Sequence, residues 1–226
     1  MSLLDLARQI QRRIPVPKIA APHEAFCIGL DLAADFAALC VLERLTITTE
    51  EMPPRLTPFE PPAVVSTKTK VHRLRCLQRL PSGYPEVIQT VSTLIAALPE
   101  AQMNPALAVN VTRVGRPVAI LMANAGLPVS AITVTAGEAE QRVARGEFRI
   151  PMKDLTSNLS VLLQNGRFLV AQDLPEASTL VAELGNFSAG GDDSWEAHNL
   201  FRSVCVASWW CERMKPTPRI NFSMER

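Results

Sequence analysis

A mixed α/β fold, a five-stranded sheet with helices on both faces, is what this sequence predicts, and three observations carry that expectation. The first third of the chain holds three strand-like apolar segments joined by short or irregular links. The middle then alternates helix-period segments with short unbroken apolar runs, the pattern of parallel β-α-β units. Finally, 226 residues that are 47% hydrophobic and 20% charged can fill such a core without a metal or disulfide staple.

The elements follow in order. Phe26 to Leu32 and Phe36 to Leu45 are apolar runs separated by a short link, which reads as an antiparallel pair. Residues 46–70 contain Pro53, Pro54, Pro58, Pro61 and Pro62, so a proline-rich loop of extended character is expected there. From Val71 to Leu80 the pattern alternates, with Leu74, Cys76 and Leu80 on one side and Arg73, Arg75 and Arg79 on the other. After the Pro81-Ser82-Gly83 turn, Val87, Ile88, Val91, Leu94, Ile95 and Leu98 mark the buried face of a helix. Ala106 to Val111 reads as a central strand, Val114 to Ala125 as a helix stopped by Gly126, and Val129 to Val134 as the next strand. Met152 to Gln164 is a helix closed by Gly166, and Arg167 to Ala171 a short strand. Pro175 to Leu184 is helical, Gly185 to Asp193 a glycine-rich loop, and Ser194 to Arg213 the last helix. The folded domain is expected over 26–213, between a tail or weak amphipathic helix over 1–25 and a polar tail over 214–226. Three antiparallel strands leading into β-α-β units is the layout of the ribonuclease H fold.

Bulk composition excludes several classes of function. With 23 Lys+Arg against 22 Asp+Glu, net charge gives no pull toward nucleic acid or membrane, so any such site must come from local clustering. Five cysteines, an odd number with no C-x-x-C spacing, read as buried free thiols in a reducing, cytoplasmic compartment. No signal peptide and no spanning segment are visible, so no membrane partner is expected. His23, His72 and His198 lie far apart and read as surface or capping residues, and no G-x-S-x-G elbow exists for serine hydrolysis. Local clustering does occur: Lys68, Lys70, Arg73, Arg75 and Arg79 stand together with no acid among them. These residues suit either a phosphate-tracking edge or an edge strand guarded against aggregation. Arg113 and Arg116 are expected near the same crevice, and the lack of interleaved aromatics argues against sequence-specific readout.

Three stretches resemble the nuclease domain of phage terminase large subunits. They are Ile28-Gly29-Leu30-Asp31-Leu32, the run from Val109 to Val118 (VNVTRVGRPV), and the Trp209-Trp210 pair. In that family the middle motif usually reads V-D-x-T-G-V-G-R-P-V. Shorter matches lie at Arg79-Leu80-Pro81, Tyr84-Pro85-Glu86-Val87, Lys153-Asp154-Leu155 and Leu174-Pro175-Glu176-Ala177, all in the family's order. The resemblance implies a ribonuclease H-like domain acting on double-stranded DNA beside phage packaging proteins. It also implies a pair of Mg²⁺ or Mn²⁺ ions held by carboxylates, which activate water and stabilise the leaving oxygen.

Set against that pattern, the sequence departs at the positions that matter. Asp31 is kept, and the resemblance makes it a metal ligand. The second catalytic position is Asn110, which has the shape of aspartate without its charge. The glycine that follows in the family is Arg113, and the third catalytic position, counted back from the tryptophan pair, is Asn199. Asp192, Asp193 and Glu196 stand close by as candidate substitutes. No G-x-x-x-x-G-K-[ST] loop is present, so the ATPase motor that precedes the nuclease in terminases is not expected. Two readings therefore remain open: an inactive terminase-type domain that binds DNA or a packaging partner, and an active metal-dependent endonuclease that uses Asp31 with Asp193 or Glu196.

Overall fold

Alternation along the first strand decides how the whole sheet is used. In the computed structural model, which describes residues 23–33, 36–51, 65–81, 83–98, 105–171, 174–187 and 198–214, β1 runs His23–Leu32. Phe26, Ile28, Leu30 and Leu32 face one hydrophobic cluster, while Cys27, Gly29 and Asp31 face the other side. β2 (Phe36–Glu51) pairs antiparallel with β1, and β3 (Val65–Pro81) pairs antiparallel with β2. β4 (Ala106–Asn110) and β5 (Val129–Thr135) then add in parallel on the other side of β1. A hairpin of β6 (Gln141–Ala144) and β7 (Glu147–Pro151) extends that side, and β8 (Phe168–Val170) lies parallel to β3. The order is β6-β7-β5-β4-β1-β2-β3-β8.

Among the described residues, five helices cover the two faces. α1 (Tyr84–Ala97) and α2 (Gly115–Asn124) pack on the Ile28 side through Val87, Val91, Val118 and Met122. α3 (Met152–Gln164), α4 (Ala177–Asn186) and α5 (Asn199–Arg213) pack on the Cys27 side. α5 crosses β1, β2 and β4 and is buried along almost its whole length. It approaches β1 closely because residue 29 has no side chain. A Cβ there would lie 2.2 Å from the Ser203 carbonyl oxygen and 2.7 Å from the Ala207 Cβ.

The expected mixed α/β architecture is present, with eight strands among the described residues instead of five. Two of the extra three form the hairpin, which turns at Gly146 with a left-handed φ of 78°. The alternation in Glu147-Phe148-Arg149-Ile150 and the Arg145-Gly146 pair are its sequence signals. Residues 46–51 and 65–70, expected in the proline-rich loop, belong instead to β2 and β3, while its prolines over 53–62 lie outside the described residues. β2 and β3 stay paired out to Glu51 and Val65, so they project as a two-stranded ribbon past the end of β1. In β3 simple alternation fails, because the register shifts opposite Val41 and Leu42 and leaves Arg75 as the extra residue. Leu74 and Leu77 therefore share the α5 face, whereas Cys76 and Leu80 pack toward α1. α5 begins at Asn199 instead of Ser194. The expected N-terminal amphipathic helix, the glycine-rich loop beyond Phe187 and the polar tail after Met214 lie outside the described residues.

Candidate functional site

Asp31 and Asn110 end neighbouring parallel strands in the same register position, β1 against β4. Alternation turns both toward α5, where the first helical turn brings Asn199 and, three residues on and so on the same helix face, Arg202. The Asn110 Nδ2 donates to Asp31 Oδ1 at 2.5 Å. Arg202 donates twice to Asp31 Oδ2, from Nε at 3.0 Å and from Nη2 at 2.7 Å. Arg202 Nη2 also donates to Asn199 Oδ1 at 2.8 Å. All four residues are buried, Asp31 to 1% exposure. Burial raises the Asp31 carboxyl to about 6, against the lowering pull of Arg202 and of the hydrogen bonds from Arg202 and Asn110.

The backbone around this network is held as firmly as the side chains. Asn110 Oδ1 accepts from the Thr112 amide at 3.0 Å, and Thr112 Oγ1 accepts from the Val134 amide at 2.7 Å. Arg113 then takes a left-handed φ of 70°, a conformation that suits glycine. Gly115 follows, where a Cβ would stand 2.0 Å from the Asn110 carbonyl oxygen, so α2 starts directly against the strand end. On the other flank Glu183 of α4 caps α5, its Oε2 accepting from the Phe201 amide at 2.8 Å. Burial raises the Glu183 carboxyl, opposed by that amide, by Arg79 and by His198.

A divalent ion at this place would need several anionic oxygens, as hard cations do. The described residues here do not fit one. Both Asp31 oxygens are engaged, the local charge of Asp31 with Arg202 sums to zero, and the cation in contact with Asp31 is a guanidinium. Among the described residues no group of three or more His, Cys, Asp or Glu side chains is arranged to hold a metal. Asp192, Asp193 and Glu196 lie outside the described residues.

The basic strand is more engaged than its sequence suggests. Arg75 Nη1 lies 2.7 Å and Arg73 Nη1 3.6 Å from Oε2 of the fully buried Glu43. Arg79 donates to Glu183 at 3.2 Å and stacks over the Phe36 ring, 4.8 Å from its centroid. β3 is not an edge at His72–Leu74, where β8 pairs with it. Lys68 and Lys70 are exposed on the ribbon. Arg116 lies on the opposite side of the sheet order, in the first turn of α2, 3.5 Å from Glu147. His72, expected at the surface, is fully buried against Glu212, 3.1 Å away. Arg202 belonged to no motif, and its only signal was a cation inside the apolar run of the last helix.

A scan against protein-family models finds no match, and neither does a search of curated proteins. Among solved structures the chain is similar to the large terminase nuclease from thermophilic phage G20c, a structure obtained with bound zinc. The match has a TM-score of 0.50 at 16% sequence identity and covers 91% of this chain and 95% of that one. No helix among the described residues is long and apolar enough to cross a membrane. At that identity the likeness is one of architecture: the chain carries the ribonuclease H-like fold on which that terminase nuclease is built.

Proposed function

We propose that this chain is a terminase-nuclease-type domain without nuclease activity, serving by contact with double-stranded DNA or a packaging partner in the cytoplasm of a phage-bearing cell. One observation carries the reading. The strand-end carboxylate that the fold would offer to a metal is instead clamped by Arg202 and Asn110, at 2.7 and 2.5 Å. Two-metal cleavage needs negative charge gathered at one point, and here the protein supplies its own cation there. Asp31, Asn110 and Asn199 then act as a structural clasp between β1, β4 and α5.

The test is a supercoiled-plasmid nicking assay with Mg²⁺ or Mn²⁺ on the purified protein. No nicking is expected from the unmodified chain. Mn²⁺ binding is expected to appear only when Arg202→Ala is combined with Asn110→Asp and Asn199→Asp, read by calorimetric titration. Metal-dependent nicking by the unmodified chain, lost in Asp31→Ala, would overturn the reading in favour of an active endonuclease using Asp193 or Glu196.

A further inference from the structure

Beyond the Asp31 clasp, the turn after β4, the middle of β5 and the start of β7 line a separate cavity of about 230 Å³. Thr112 and Phe148 line it together with three arginines: Arg113 from the turn, Arg116 from α2 and Arg149 from β7. Glu147 is the one acid in its lining and lies 3.5 Å from Arg116, where both side chains are largely exposed and the pair is weak. Arg149 has no carboxylate partner among the described residues, and Arg113 and Arg149 are both exposed. Among the described residues that line it, three guanidiniums stand against one carboxylate.

We propose that this cavity is a seat for a single phosphate group. Planar guanidinium forks match the paired oxygens of a tetrahedral oxyanion, which a lone ammonium does not. Size points the same way, because pockets for whole drug-sized ligands begin at about 300 Å³ and this one is smaller. It admits a phosphate while leaving the rest of the ligand outside. The seat is built by the left-handed turn at Arg113 and by the β6–β7 hairpin, which bring together arginines 33 and 36 residues apart in the chain, counted from Arg149 to Arg116 and Arg113. The phosphate can be free or carried on a nucleic-acid backbone, and the proposal rests on the non-nucleolytic reading only for the second source.

Arg113→Gly, which suits the φ of that turn, and Arg149→Gln would be made singly and together. Calorimetry with inorganic phosphate and fluorescence anisotropy with a 20-base-pair duplex at two salt concentrations would be measured on each. If the seat takes backbone phosphates, the double variant should lose about tenfold in duplex affinity, and the salt slope should fall by about 0.9 for each lost contact. Inorganic phosphate should compete with the duplex. If it takes free phosphate only, calorimetric binding should vanish in the double variant while the duplex shows none in either protein. Unchanged binding of both ligands in a double variant of unchanged Tm, or no binding of either ligand by the unmodified protein, would overturn the proposal. Metal-dependent nicking would overturn the non-nucleolytic reading and leave the phosphate seat standing.

Discussion

Asp31 shows how one residue type is redirected by its surroundings. Burial favours the neutral acid and Arg202 the anion, and burial wins by enough to lift the carboxyl from 3.8 to about 6. The sign of the pH dependence follows. A carboxyl with a raised folded-state pKa binds its proton more tightly when folded, so its contribution is fully present below pH ~4 and is lost as pH rises through about 6. Asp31→Asn cannot titrate. Relative to that variant, the unmodified protein should lose up to about 3 kcal/mol of stability between pH 4 and 7, at 1.36 kcal/mol per pKa unit. Urea unfolding of the two proteins at both pH values measures it. A gain over that interval would mean that the guanidinium outweighs burial. The presence of an acid at the end of β1 was plain in the sequence. Its partner was not, because Arg202 is 171 residues away and belongs to a helix whose register on the sheet no local pattern states.

At the scale of the element, α5 is the piece on which the rest depends. It is capped by groups from other elements: Glu183 at its start, and Arg44 at its end, where Nη1 donates to the carbonyls of Cys211 at 2.5 Å and Met214 at 2.9 Å. Arg213 stacks over Trp209, whose Nε1 donates to Glu140 at 2.7 Å. The helix keeps its distance from the sheet only because of Gly29. Gly29→Ala places a methyl group against backbone and a buried Cβ, neither of which can swing aside, unlike the end of a flexible side chain. Overpacking of this kind costs about 1–3 kcal/mol, and here the expected loss is at the upper end. Because the shift would also pull Arg202 from Asp31 and so remove a lowering influence on that carboxyl, the pH dependence described above should grow in the same variant. Thermal unfolding at pH 4 and 7 checks both, and an unchanged Tm would mean that α5 has room the packing does not suggest. The helix itself was legible from its apolar run, yet its start was misplaced by five residues, since its cap comes from α4 and not from its own flanking sequence.

For the whole molecule, the five cysteines report on global packing. All are free, and Cys27, Cys40, Cys205 and Cys211 are buried in the cluster between the sheet and α5, while Cys76 is half-buried. Burial pushes the Cys40 thiol up to about 12 and raises Cys27 and Cys205 well above the ordinary range. The thiolate is the reactive form, so a disulfide reagent at pH 8 should modify Cys76 alone in the native protein and all five after unfolding. Rapid modification of two or more native thiols would show that the sheet and α5 part readily. The sequence by itself determined the α/β class, the order of the elements apart from the β6–β7 hairpin, the free thiols and the acid and amide at the ends of β1 and β4. All of these follow from periodicities of 2 and 3.6 residues and from residue type. Only the tertiary structure decided which cation meets Asp31, which arginines of β3 are tied to Glu43 and Glu183, and which three others converge on one cavity. Those outcomes depend on strand register, a bulge and helix placement across long stretches of chain. A one-residue shift in any of them turns a side chain to the other face, and nothing in the local sequence records it.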